Sequence, residues 1–247
     1  MQAAHKRRIL VELGVDVYVR RDAGSVRAAE ERASDAGPPA QPDELLASVP
    51  QGLADGVEWD PLRAMVAACT RCVLHAGRTQ TVFGVGRRDA RWMIIGEAPG
   101  AEEDRRGEPF VGRAGQLLDS MLRALGPGRD QVYIANVLKC RPPGNRDPRP
   151  EESASCRPYL NRQIELVAPT LIIAVGRIAA QALLETDQPL GKLRGRIHSL
   201  GERGWPVIVT YHPAYLLRSP SEKRKAWQDL LLARRTFREL ERQRGEA

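Results

Sequence analysis

The sequence predicts an α/β fold in which helices cover both faces of a parallel sheet. Four short apolar runs of strand length alternate along the chain with longer segments of helical periodicity. Strands that alternate with helices in this way form parallel sheets, which are buried on both faces. The apolar runs span residues 92–96, 132–137, 171–176 and 207–211. The helical segments span residues 114–125, 150–167, 177–184 and 222–242.

The residues ahead of this alternation differ in composition. Residues 1–21 include an apolar stretch long enough for a short helix and a strand-like tail, so a short N-terminal element is expected. Residues 22–58 are rich in Ala, Asp, Glu, Pro and Gly without a sustained period, which predicts a disordered linker. The folded domain is then expected to span residues 59–247, with Asp60 capping its first helix and Pro61 at the first helical position.

Composition and charge limit the classes of function. No apolar run approaches the ~20 residues that span a bilayer, so no membrane segment is expected. Residues 1–60 hold seven Lys and Arg against eleven Asp and Glu, so of the net charge of +7, residues 61–247 carry +11. A basic surplus on one compact domain favours a polyanionic partner, with nucleic acid first. The alternative is a bias towards arginine, since 33 Arg accompany only 5 Lys.

The chain has four cysteines, and their spacing suggests a metal centre: Cys69, Cys72, Cys140 and Cys156. Two disulfides would suit a secreted protein, but no apolar signal segment is found at the N-terminus, so a cytoplasmic location and reduced thiols are expected. Structural zinc usually takes two short Cys-x2-Cys hooks, and only one is present. An iron-sulfur cluster accepts one hook and two isolated cysteines, so the spacing favours a cluster and leaves zinc open. Each of three arginines adjoins a cysteine and could offset its charge: Arg71, Arg141 and Arg157.

Unusual loops follow three of the apolar runs, where parallel sheets bind ligands. The first loop, GEAPGAEEDRRGEPFVGRAG, combines glycines, which let backbone amides approach a ligand, with Phe110, an aromatic residue that looks exposed and suited to stacking. The alternative is an ordinary polar loop. The fourth run leads to His212, which could donate to a carbonyl oxygen that gains charge, although a lone histidine there is often structural. Leu216, Leu217 and Arg218 follow and combine apolar wedges with a cation, as in proteins that enter a base stack.

These motifs, in this order, resemble the family 4 uracil-DNA glycosylases, the iron-sulfur members of the uracil-DNA glycosylase superfamily. The matching segments are GEAPG, EEDRRGEPFVGRAGQLLD, NVLKCRPPGNRDP, IIAVG and HPAYLLRSP, and they lie between Cys69 and Trp227. The resemblance implies a three-layer α/β/α sandwich on a central four-stranded parallel sheet, here preceded by an N-terminal extension. It also implies a 4Fe-4S cluster on the four cysteines, which places the cluster above zinc.

The resemblance implies an enzyme of base excision repair that hydrolyses the N-glycosidic bond of uracil in DNA and leaves an abasic site. The nucleotide would be rotated out of the stack, and Leu216 would fill the space it leaves. Phe110 would stack on the flipped base, and Asn136 would read its edge, since one amide can accept from N3–H and donate to O4. Glu103 would lie near C5, where a thymine methyl would collide.

The resemblance also implies how the bond is broken. The backbone of Gly96 and the side chain of His212 would bind uracil O2, where negative charge develops. In the best-known branch of the superfamily an Asp follows the first glycine motif and orients the water, but Ala98 stands here, as in family 4. Glu97 and Asn145 are the candidates for this task, and Glu97 is preferred because it directly follows a strand.

The cluster is expected to be structural, because hydrolysis has no redox step. It would hold the loop after Cys140 over the DNA, where Arg141, Arg146 and Arg149 could meet phosphates. A branch that crosslinks itself to DNA uses a histidine in this loop, and residues 141–155 contain none.

The sequence also suggests a partner and leaves two alternative functions open. The expected partner is uracil-containing DNA, single- or double-stranded, bound by a monomer, and the N-terminal extension could contact a repair or replication protein. Two alternatives stay open. One is a non-catalytic nucleic-acid-binding module related to the N-terminal domains of phage-type DNA polymerases, and the other is a glycosylase with broader specificity for deaminated bases.

Overall fold

A computed structural model describes residues 53–245 of the protein, and a six-stranded sheet forms the centre of this part. Four parallel strands occupy the middle in the order β3-β2-β4-β6, and short antiparallel strands β1 and β5 flank them. The predicted four-stranded parallel sheet is therefore confirmed, with two edge strands added. The strands are β1 Val85–Gly86, β2 Trp92–Gly96, β3 Tyr133–Asn136, β4 Leu171–Val175, β5 Ile197–Leu200 and β6 Trp205–Thr210.

The two edge strands left little trace in the sequence. Strand β1 has only two residues, too few for any alternation to be recognised. Strand β5 reads Ile-His-Ser-Leu and alternates between exposed and half-buried positions, as an edge strand does, so it lacks the continuous apolar run that marks the central strands.

Helices cover both faces of the sheet and confirm the three-layer sandwich. The four predicted helical segments all form, two of them with the predicted bounds. The helices are α1 Trp59–Ala67, α2 Ala101–Arg106, α3 Arg113–Leu125, α4 Pro150–Val167, α5 Arg177–Leu184, α6 Leu190–Leu193, α7 Pro213–Arg218 and α8 Lys223–Gly245. None of these described helices combines the length and apolar content needed to cross a membrane.

Two hydrophobic clusters lie on opposite faces of the sheet. Along β2, Met93 and Ile95 belong to one cluster and Trp92 and Ile94 to the other, because successive side chains of a strand point to opposite faces. The first cluster includes side chains of α1, α4 and α5, and the second includes side chains of α3, α7 and α8. The carboxyl ends of the parallel strands emerge between these layers.

The residues just ahead of the first helix pack on the folded domain. Ala54 is buried, Leu53 and Val57 pack on the first cluster, and the guanidinium of Arg162 donates to the carbonyl of Val57 (2.7 Å). Residues 53–58 belong to the expected linker, and the structure shows that they pack on the domain expected from residue 59. The N-terminal element and the rest of the linker lie outside the described residues.

The first helix also starts two positions before the predicted start. Glu58 has extended backbone angles and takes the N-cap position, so Asp60 lies in the first turn and does not cap the helix. A carboxylate there still interacts favourably with the positive end of the helix dipole.

Candidate active site

A cavity of about 420 Å³ opens at the carboxyl ends of the parallel strands. Strands β2, β3 and β6 each end at its wall, which is where open α/β sheets bind ligands. Six of the seven residues that the sequence assigns to catalysis or uracil binding line this cavity: Glu97, Glu103, Phe110, Asn136, Asn145 and His212.

Gly96, the seventh residue, ends β2 and packs against two side chains of the cavity wall. A Cβ atom at this position would lie 2.5 Å from Oδ1 of Asn136 and 2.6 Å from Cζ of Phe110. Any larger residue would therefore displace both side chains. Glycine at this position allows the amide and the aromatic ring to approach the strand closely.

Phe110 is buried, so the expectation of an exposed aromatic residue is wrong. It is 6% exposed, and its ring stacks on the imidazole of His212 with centroids 5.5 Å apart and planes at 29°. Its backbone has a φ of +55°, which is uncommon for a bulky residue. A Cβ atom on Gly115 would lie 1.8 Å from the Phe110 carbonyl oxygen, so the start of α3 packs directly on this loop. The loop thus holds the ring against the cavity wall.

Asn136 presents an unsatisfied polar group to the cavity. The residue is 2% exposed, and its side-chain oxygen has no hydrogen-bond partner among the described residues. A buried acceptor without a donor costs about 1–3 kcal/mol. Such exceptions call for an explanation, and a ligand N–H group that completes the hydrogen bond provides one.

His212 is held as a neutral ring with a defined tautomer. It caps α7, and its Nδ1 atom accepts from the backbone N–H of Ala214 (3.1 Å). A neutral imidazole that accepts at Nδ1 carries its proton on Nε2 and can donate there. Burial, and then the nearby positive charge of Arg218, lower the pKa of His212 to about 4, while Glu103 acts in the opposite direction. The ring is therefore uncharged at neutral pH.

Glu97 has a strongly perturbed carboxyl group. Burial, and then the negative charge of Asp147, raise its pKa to about 7, while Arg177 acts in the opposite direction. Asp147 lines the same cavity and accepts from the guanidinium of Arg177 (2.6 Å). Sequence reasoning missed Asp147, whose only signal was its place two residues after Asn145.

Glu103 braces the loop that encloses the cavity. Its carboxylate accepts from the backbone N–H groups of Gly100 (3.1 Å), Val111 (3.0 Å) and Gly112 (3.3 Å). These bonds join the first turn of α2 to the segment after Phe110. The steric role near C5 stays a prediction, whereas the loop-bracing role follows from the contacts.

The four cysteines line a second, narrow cavity, although they come from three segments. Cys69 and Cys72 precede a 3-10 turn at Val73–Ala76, Cys140 follows β3, and Cys156 lies in α4. All four are free thiols, so no disulfide joins them within residues 53–245. Burial raises the pKa of Cys72 and Cys140, and that of Cys156 to about 12. In the described part, no three His, Cys, Asp or Glu side chains are grouped closely enough to hold a single metal ion.

Arg78 supplies a cation at this second cavity and was missed by sequence reasoning. Its guanidinium donates to the sulfur of Cys140 (3.1 Å) and to the carbonyls of Cys69 (2.8 Å) and Ala67 (3.0 Å). Of the arginines that adjoin cysteines in sequence, Arg71 lines the cavity, and its buried Nε has no partner among the described residues. Arg78 stands six residues after the nearest cysteine, so the spacing carried no signal for it.

Comparison with known proteins agrees with this geometry. Residues 83–231 match the family model described as the uracil DNA glycosylase superfamily. The chain belongs to this superfamily. It is 49% identical over 160 residues to a type-4 uracil-DNA glycosylase of Thermotoga maritima, which covers 64% of this chain and 82% of that protein. It is 44% identical over 167 residues to a type-4 uracil-DNA glycosylase of Archaeoglobus fulgidus. This match covers 65% of this chain and 84% of that protein. It also resembles a DNA polymerase of Bacillus phage SP01, at 32% identity over 56% of this chain and 15% of that protein.

In this member of the superfamily, the side chain of Leu216 is buried, and its role as a wedge stays a prediction. Leu216 is 1% exposed and belongs to the second hydrophobic cluster, whereas Leu217 is 37% exposed. The segment that the sequence presented as a loop is helix α7, in which adjacent side chains point about 100° apart. Position 216 therefore faces the core and position 217 faces outwards. His212 followed by Pro213 was the available signal, since a cap followed by proline starts many helices.

The arginines around the cavity fall into two groups. Arg146 forms two hydrogen bonds with the fully buried carboxylate of Glu152 (2.9 and 2.5 Å), so its guanidinium braces the start of α4 and is not free for a phosphate. Arg149 and Arg218 are exposed, and no ion pair of either is found among the described residues. Arg141 donates to the side-chain oxygen of Asn145 (2.8 Å) and so fixes that amide at the cavity wall.

Proposed function

We propose that this chain is a uracil-DNA glycosylase of base excision repair that hydrolyses the N-glycosidic bond of a flipped uracil and leaves an abasic site. The buried, unpartnered amide oxygen of Asn136 carries this proposal. Within a chain of this superfamily, that acceptor faces a cavity that also holds a stacked Phe110 and a neutral His212. Asn136 reads the edge of the base, Phe110 stacks on its ring, and His212 stabilises the negative charge that develops on it.

The amide of Asn136 suits uracil and rejects cytosine. Its oxygen accepts from N3–H of uracil, and its NH₂ group donates to O4. Cytosine presents the reverse pattern, with an acceptor at N3 and a donor at N4, so it would leave a buried amide mismatched. Phe110 provides the apolar surface that covers the flipped ring.

His212 and Gly96 stabilise the leaving base. As the glycosidic bond breaks, negative charge collects on uracil O2, and a preorganised donor in a dry site stabilises it strongly. The Nε2–H group of the neutral ring is such a donor, and the bond from Ala214 holds it in this tautomer. Glu97 orients the water that attacks the sugar, with Asn145 as the alternative on the opposite loop.

We also propose that the four cysteines bind a 4Fe-4S cluster. A 4Fe-4S cluster takes one thiolate ligand for each of its four iron atoms, so four thiols around one cavity match it. A single metal ion would require the four sulfur atoms to surround one point. The guanidinium of Arg78 beside Cys140 and the unpartnered Nε of Arg71 suit an anionic thiolate centre. When bound, the cluster supplies iron-thiolate bonds that join three segments of the chain. Visible absorbance with iron and sulfide analysis of the purified protein tests this, and stoichiometric zinc without iron would reject it.

The exposed arginines near the cavity are proposed to bind DNA phosphates. Arg149 and Arg218 are the candidates, since Arg146 is engaged by Glu152. Raising the salt concentration should weaken DNA binding steeply, and removing one phosphate contact should reduce the salt slope by about 1. Fluorescence anisotropy across a salt series measures both, and binding that is independent of salt would reject the assignment. A monomeric state, a cytoplasmic location and a repair or replication partner of the N-terminal extension stay predictions.

The second candidate function is a binding module without catalysis, which the likeness to the phage polymerase favours. The test incubates the full chain with a single-stranded oligonucleotide that contains one uracil, followed by alkali to cleave abasic sites. A thymine oligonucleotide and the variant Asn136→Ala serve as controls. We expect cleavage of the uracil strand by the unsubstituted chain alone. Binding of the uracil strand without cleavage would favour the module instead.

A further inference from the structure

A buried polar network lies behind the base-binding cavity. Lys139 is 1% exposed, and its ammonium group donates to the backbone carbonyl of Asn136 (2.8 Å) and to the side-chain oxygen of Gln163 (2.6 Å). Gln163, also fully buried, donates to the carbonyl of Phe83 (2.9 Å) and to the hydroxyl of Tyr133 (3.0 Å). A buried ammonium is costly unless its donors are satisfied, and here two acceptors take two of its three donors.

The network holds the end of the strand that carries Asn136. On one side this end is paired with β2, since the N–H of Val137 donates to the carbonyl of Gly96 (2.9 Å). On the other side, β1 pairs with Tyr133 and Ile134 and stops before Asn136. Lys139 therefore supplies the Asn136 carbonyl with a donor that β1, the described strand on this side, does not supply.

Lys139 links the base-binding cavity and the cysteine cavity. It directly precedes Cys140 and lines the cysteine cavity, while its ammonium group contacts the last residue of β3. Gln163 belongs to α4, the helix that also carries Cys156. The peptide of Asn136 is thus fixed by groups that belong to the frame around the cysteines.

We propose that Lys139 is a positioning residue for base recognition. By holding the carbonyl of Asn136, it fixes the peptide plane and so the direction in which the side-chain amide points. This inference rests on the proposed reading of uracil by Asn136. It assigns a specific task to a buried lysine side chain that takes no part in the hydrolysis.

The inhibition constant of free uracil tests the proposal, because it does not depend on the fraction of active enzyme. Lys139→Met keeps the length of the side chain and removes its donors. We expect this variant to bind free uracil about tenfold more weakly, as the loss of an oriented hydrogen-bonding amide would cause. A role in stability alone would lower the melting temperature and leave the inhibition constant unchanged.

Matched variants of Gln163 and Tyr133 separate positioning from packing. Gln163→Leu removes one acceptor of Lys139 and should weaken uracil binding in the same direction. Tyr133→Phe removes only the far hydroxyl and leaves both acceptors of Lys139 in place, so it should stay within about twofold of the unsubstituted chain. Iron content is measured for each variant, so that a change at Cys140 is recognised.

The outcomes distinguish this inference from the function on which it rests. If the unsubstituted chain neither excises uracil nor binds it, the proposed function fails. If it does both, and Lys139→Met and Gln163→Leu keep its inhibition constant, only the positioning role is overturned. Should Lys139→Met not fold, the comparison between Gln163→Leu and Tyr133→Phe decides, since equal constants for the two would overturn the role.

Discussion

Glu97 provides a pH-dependent test of the hydrolytic step. Burial and the charge of Asp147 raise its pKa to about 7. A carboxylate that orients a nucleophilic water must be ionised to act as an acceptor. Because a carboxyl group loses its proton as the pH rises through its pKa, the active form of Glu97 is populated above about pH 7, so excision should speed up from acidic to basic pH.

The size of this effect follows from a single titration. With a pKa of about 7, roughly 10% of Glu97 is ionised at pH 6 and roughly 90% at pH 8, so the rate of the chemical step should rise about ninefold over this interval. His212 adds no step within it, because its pKa is lowered to about 4 and the ring stays neutral.

Single-turnover excision from a uracil oligonucleotide, with enzyme in excess, measures this rate without product release. Asp147→Asn removes the neighbouring negative charge and releases Arg177, so the midpoint should move to lower pH. Arg177→Gln removes the opposing positive charge, so the midpoint should move to higher pH. Glu97→Gln should slow excision and flatten the profile.

Two results would refute the reasoning on Glu97. One is a flat profile between pH 6 and pH 8 for the unsubstituted chain. The other is full single-turnover excision by Glu97→Gln, which would make Asn145 the better candidate for the water. A rate that falls as the pH rises would give Glu97 the opposite task of donating a proton.

Three further predictions concern residues whose roles the structure changed. Leu216→Ala should lower the free energy of unfolding by about 2–5 kcal/mol in denaturant titrations. Leu217→Ala should change the free energy of unfolding by less than about 0.5 kcal/mol. If the exposed Leu217 acts as a wedge, this variant should slow excision from duplex DNA more than from single strands. Equal slowing on both substrates would contradict a wedge at Leu217. Arg146→Gln leaves the buried carboxylate of Glu152 without its ion pair and should lower the free energy of unfolding measurably, and a change near zero would show that the pair is dispensable. Arg78→Met should speed the loss of visible absorbance in the presence of an iron chelator relative to Arg78→Lys, whereas equal rates would place Arg78 outside the metal centre.

Much of the fold was readable because the central strands are buried on both faces. Runs such as Leu171–Val175 are continuous and apolar, so they stand out from the helices between them. The loops after these runs identified most of the candidate site, since parallel strands end at one edge of a sheet. The exposed edge strand Ile197–Leu200 carried no such run and was missed.

The sequence was least informative where a side chain's direction mattered more than its type. Leu216 and Leu217 are the same residue in adjacent positions, and only the helical geometry of α7 sends one into the core and the other outwards. Phe110 stands among polar neighbours in sequence, yet a left-handed backbone turns its ring onto His212. Arg146 was assigned to phosphate, but it meets a buried carboxylate six residues away.

The sequence by itself determined the α/β class, the order of the central elements, the four cysteines and the residues that follow each strand, because these depend on local pattern and on spacing along the chain. Only the tertiary structure decided which of these residues face the cavity, which cation meets Cys140 and which lysine holds the peptide of Asn136. Those contacts join segments far apart in sequence, such as Lys139 and Gln163 or Arg78 and Cys140. Burial and distance between such segments exist only in the folded chain.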